Sequence, residues 1–94
     1  MKQPTIDSDR HIALLNDGSR QRLRILREGL GLSRTKFADM LGIPPTTLKN
    51  YELNYRELGG GFLLLIAHHP ELKQYTGWLM TGEGTAPVTL AMAA

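Results

Sequence analysis

The sequence predicts an all-α fold: a compact five-helix bundle over residues 19–84, with a short arm (1–18) before it and a tail (85–94) after it. Three observations predict it. Apolar residues recur at helical spacing, beginning with Leu23, Leu26 and Leu30. Helix start and stop residues (Ser33, Gly42, Pro44, Pro45) stand between the periodic stretches rather than inside them. At 94 residues, 41% apolar and 21% charged, the chain has the size and composition of one globular domain, not of a disordered or fibrous segment.

The arm is polar apart from Ile12–Leu15, where a short helix over Asp9–Leu15 is expected, closed by a turn at Asn16-Asp17-Gly18. Ser19 is the expected N-cap of the first bundle helix, and Gly29 and Gly31 end it. Ser33 caps a second helix with Phe37, Ala38 and Leu41 as its apolar stripe, and Gly42 stops it. Proline suits the first turn of a helix because its missing N–H has no intrahelical partner there, so a third helix is expected from Pro45 to Leu53, with Leu48 and Tyr51 inward. Asn54–Gly61 is a linker ending in three glycines. Phe62–His69 is expected as a buried fourth helix. Pro70 opens a fifth, with Leu72, Tyr75, Trp78 and Leu79 as its apolar residues, ended by Thr81-Gly82-Glu83-Gly84. The uncharged tail has two readings: a frayed terminus, or a strand in which Val88, Leu90 and Met92 alternate, pairing with a second copy or covering the core.

Charge is unevenly placed. Residues 20–36 carry Arg20, Arg22, Arg24, Arg27, Arg34 and Lys36 against Glu28 alone, so the net charge of +2 conceals a basic block. Such a block is either a solvated helix face or a seat for a polyanion, whose bound counterions are released on contact. With no cysteine, disulfides and cysteine-ligated zinc are excluded. His68 and His69 are adjacent and point apart on a helix, which argues against a shared metal. Gly82-Glu83-Gly84 neither follows a strand nor opens a helix, so no nucleotide loop is indicated. No nucleophile–base arrangement is recognisable; neither an enzyme nor a cofactor is implied. The longest apolar run, Phe62–Ala67, is far short of the roughly 20 residues of a membrane span, and the first residues lack the apolar stretch of a secretory signal. A cytoplasmic protein with no membrane partner is expected.

From Arg34 to Leu53 the sequence meets the demands of a helix-turn-helix unit. Ala38 is small enough for the crossing point, Gly42 can take the positive φ of the turn, and Phe37, Leu41, Ile43, Leu48 and Tyr51 bury both helices. In their order and spacing, Arg22-Leu-Arg-Ile-Leu-Arg27, Leu30-Gly-Leu-Ser33, Phe37-Ala-Asp-Met-Leu-Gly-Ile43, Tyr51-Glu52, Leu65-Ile-Ala67 and Trp78-Leu-Met-Thr-Gly-Glu-Gly84 make the chain resemble the phage repressor and Cro-like helix-turn-helix domains, the lambda-repressor-like fold. The resemblance covers residues 20–84. It implies a dimeric regulator of phage or prophage type that occupies a double-stranded operator. It also implies a pair between Arg27 and Glu52 that fixes the angle between the first and third helices and can orient a phosphate contact.

By matching position, base reading falls to Pro45, Thr46, Thr47, Lys49 and Asn50, with Asn50 able to bond adenine with two hydrogen bonds. Backbone contacts fall to Arg34, Lys36 and Arg27, and to the helix-start amides of Gly60 and Gly61. The sequence departs from the family where Pro45 replaces a frequent polar base reader and Pro44 replaces the usual capping residue. Both changes shift readout toward phosphates and DNA shape. Two further readings fit the same fold: an antitoxin-type regulator clamped on a toxin-like or antirepressor protein, and a protein–protein module that no longer touches DNA.

Overall fold

Five helices form in the order α1 (Pro4–Gly29), α2 (Arg34–Leu41), α3 (Pro45–Glu52), α4 (Gly60–His68) and α5 (Thr76–Thr81), with a 3-10 turn at Lys73–Tyr75 before the last. The computed structural model describes residues 4–87, with side chains from residue 8 onward. Every helix contributes to one core. Leu23 and Leu26 come from α1, Phe37, Ala38 and Leu41 from α2, Leu48 and Tyr51 from α3, Phe62 and Ile66 from α4, and Trp78 and Leu79 from α5. Each wholly buried large side chain among them contributes roughly 1.5–3 kcal/mol. The Tyr51 and Phe62 rings lie 4.6 Å apart, centroid to centroid, and join α3 to α4. Beyond α5 the chain returns to the core through Ala86 and the buried Pro87.

The first helix corrects the sequence reading. It runs unbroken through Asn16-Asp17-Gly18, so there is no turn there, and Ser19 is a buried mid-helix residue rather than an N-cap. The reason lies in where the turn-forming side chains go. The Asp17 carboxylate accepts from Arg20 Nε (2.8 Å) and Gln21 Nε2 (2.9 Å), one turn along the same helix. Asn16 Oδ1 accepts from the Leu58 amide (2.9 Å) and its Nδ2 donates to Asn54 (3.2 Å). Neither side chain is left to close a turn on its own backbone.

Two other elements differ. The fourth helix starts at Gly60 and is not buried all round: Phe62 and Ile66 face the core, while Leu64 and Leu65 are exposed. The expected fifth helix is broken. The Leu72 and Lys73 amides both donate to the His69 carbonyl (3.1 and 2.9 Å), and His69 Nδ1 accepts from the Glu71 amide (3.1 Å). These bonds wind Pro70–Tyr75 as tight turns, and a regular α-helix resumes only at Thr76. Leu72, Tyr75, Trp78 and Leu79 are still buried as expected, because their spacing of three and four suits either winding. The alternation at Val88, Leu90 and Met92 lies outside the described residues.

Candidate nucleic-acid interface

The unit from Ser33 to Glu52 is built from local signals. Ser33 Oγ accepts from the Lys36 amide (3.1 Å) and starts α2. At the other end Gly42 takes φ 72°, its amide donates to Asp39 O (3.1 Å), and Ile43 N donates to Ala38 O (3.0 Å). Ala38 is wholly buried between the helices. Two residues after Gly42, Pro44 is the N-cap of α3 with no side-chain hydrogen bond, and Pro45 occupies its first turn. The lost cap expected from Pro44 is therefore real, while the proline at Pro45 removes an amide that α3 does not use.

α3 divides cleanly. Leu48, Tyr51 and Glu52 are buried; Pro45, Thr46 and Lys49 are exposed, with Thr47 and Asn50 half-buried at the margins. Among the described residues, no hydrogen bond or ion pair engages the side chains of Thr46, Thr47, Lys49 or Asn50. The C-terminus of α3 is closed by Asn54 at φ 63°, with Asn54 N donating to Tyr51 O (3.2 Å) and Tyr55 N to Asn50 O (2.8 Å).

Glu52 is the anchor. Its carboxylate accepts from Arg27 Nε (2.7 Å) and Nη2 (3.0 Å), the fork-on-fork pair that the resemblance implied. Donating to the Glu52 carboxylate holds the Arg27 guanidinium more firmly protonated than usual, outweighing the burial that opposes its charge. Arg27 Nη1 donates to the Leu32 carbonyl (3.0 Å), so all three nitrogens of this side chain are engaged within the fold. Arg34 also donates to Glu52, through Nε at 2.9 Å.

The basic block is thereby dispersed. Arg22 donates to the Leu79 carbonyl (2.9 Å) and the Met80 carbonyl (3.3 Å), near the C-terminus of α5, where a cation is favoured. It passes between Gly18 and Gly82, where a Cβ on either would sit 3.3 Å from its Nη1. Arg20 pairs with Asp17 (2.6 Å) and Arg24 with Glu28 (3.0 Å). Lys36 is exposed at the start of α2 and has no ion pair among the described residues. Gly60 and Gly61 open α4 behind an uncapped Gly59, and a Cβ at any of the three would meet nothing within 4 Å. Packing does not require those glycines.

Two residues were not anticipated. Tyr55, next to the Asn54 turn that closes α3, is 71% exposed. The Arg56 guanidinium lies 5.2 Å from the centre of the Tyr51 ring. The signal that could have found them is Asn54, a residue type that readily takes the left-handed conformation after a helix and so turns the next two side chains outward.

The sequence model of a family described as helix-turn-helix matches residues 23–73, from the core leucines of α1 into the 3-10 turn. No curated relative matches the chain. No solved structure does either.

Proposed function

The chain belongs to the helix-turn-helix family, which makes it a DNA-binding regulator of transcription, and from that premise we propose that it is a sequence-specific repressor of phage or prophage type that occupies its operator as a dimer. The observation that carries this reading is α3 itself: a helix fixed on its inner side by a buried ion pair, whose outer polar side chains have no partner among the described residues. Laid in a major groove, Asn50 and Lys49 reach base edges, Thr46 and Thr47 bond either a base or a phosphate, and Pro45 contributes only apolar contact. Arg34, Lys36 and the open amides at Gly60 and Gly61 supply backbone contacts that set register. Arg27 acts through Glu52, as a positioning residue.

Dimeric occupancy is supported by the arithmetic of specificity, since one small module reads too few bases, and two half-sites a helical turn apart multiply the discrimination. It is also supported by Ile12 and Leu15 on α1 and Met80 on α5, exposed apolar residues that line one shallow groove. The same exposed apolar residues favour a second reading, in which that face holds an antirepressor or toxin-like protein.

Selection of bound fragments from the source genome, followed by titration at two salt concentrations, tests the function. The expected result is a preferred duplex and a steep loss of affinity with salt. Binding without sequence preference, or no binding, contradicts it. The mass of the free protein in solution separates the two readings of the apolar face: a dimer supports the first, and a monomer that pairs only with another protein supports the second.

A further inference from the structure

Glu52 serves two arginines, not one. Its Oε2 accepts from Arg27 Nε, and its Oε1 accepts from both Arg27 Nη2 and Arg34 Nε. The carboxylate is wholly buried, so both cations are held at a fixed point rather than at a mobile surface group. Two guanidiniums against one carboxylate leave one positive charge in excess, and the geometry decides where it emerges. The Arg27 side chain is 10% exposed and bonded through all three of its nitrogens. The Arg34 side chain is 33% exposed, and among the described residues only its Nε is engaged. A guanidinium gripped at Nε keeps its two terminal nitrogens free as an end-on pair, which matches two oxygens of one phosphate.

We propose that Glu52 is the positioning residue for a phosphate contact made end-on by Nη1 and Nη2 of Arg34. One buried carboxylate then sets both the tilt of α3, through Arg27, and the reach of a backbone anchor at the start of α2, through Arg34. The ligand is a phosphodiester of duplex DNA, and the inference rests on the reading that the outer face of α3 meets that duplex.

Arg34→Lys separates position from charge. Lysine keeps the cation but has no Nε to give Glu52 while the terminal group grips phosphate. R34K is expected to lose affinity roughly 10-fold on every sequence, with the salt dependence unchanged. R34A should lose at least as much and flatten the salt slope by about one unit. Glu52→Gln should weaken binding in the unsubstituted protein and lose distinctly less when added to R34K, the remainder being its effect through Arg27, provided thermal melting shows that it folds; equal losses in the two backgrounds overturn the inference. If E52Q does not fold, nuclear magnetic resonance of the unsubstituted protein carries the test. The Arg34 Nε–H signal should be protected without DNA and unmoved on its addition, while the Nη signals become resolved. R34K binding as tightly as the unsubstituted protein, or an Arg34 Nε–H exchanging like that of a solvated arginine, overturns this inference alone. A protein that binds no duplex overturns it together with the DNA reading.

Discussion

The inner and outer faces of α3 are eight residues seen from two sides, and they differ in how completely they are bonded. Inward, Leu48 and Tyr51 are packed, and each Glu52 oxygen has an arginine donor. Outward, the side chains of Thr46, Lys49 and Asn50 have no partner among the described residues, although Leu48, Tyr51 and Glu52 beneath them are buried. Exposed polar residues are ordinary; exposed polar residues on a short helix anchored along its inner side by packing and a buried ion pair are pre-positioned. The difference teaches that the outer face is held still by the inner one, so a ligand meets it without first having to order it.

Substitutions on the inner face should act on stability, and those on the outer face on binding. The largest effect is expected from Glu52→Ala, which leaves the Arg27 guanidinium buried without its anion and should cost about 3–5 kcal/mol. Denaturant unfolding measures it, and a loss below about 1 kcal/mol would mean that the pair does not fix α3. Ala38→Leu comes next. It forces three extra carbons into the α2–α3 crossing, for about 1–3 kcal/mol and a lower melting temperature. An unchanged melting temperature would break the account of how the two helices meet. Arg22→Ala should cost about 1–2 kcal/mol by freeing the α5 carbonyls, yet leave the salt dependence of DNA binding untouched. A flatter salt slope would return Arg22 to the DNA footprint and blur the distinction between structural and DNA-facing cations.

That distinction marks where the sequence was legible. Ser33, Gly42 and the two prolines act on the chain within a few residues of themselves, so both helix ends and the turn between them could be read in order. The Arg27–Glu52 pair was reached through family resemblance, because nothing local links residues 25 positions apart. The continuity of α1 was not legible. Asn16 and Asp17 look like a turn until Leu58 and Asn54 arrive from 42 and 38 residues away to engage Asn16. The dispersal of the basic block was not legible for the same reason: five of its six cations, close in sequence, face α5, Asp17, Glu28 and Glu52 in space, and Lys36 has no ion pair among the described residues. Arg34 was expected at the DNA backbone, but its bond to Glu52 required knowing that α2 and α3 present those two groups to each other.

The most direct test of the central claim is the affinity of Asn50→Ala for a selected fragment and for single-base variants of it. Asn50 lies at the edge of the outer face and bonds nothing through its side chain among the described residues, so stability should stay within about 0.5 kcal/mol of the unsubstituted protein. Binding should weaken by about 1–3 kcal/mol at one base pair, with preference lost at that position and kept elsewhere. Equal weakening on every duplex, or none on any, would contradict the claim that this face of α3 reads DNA.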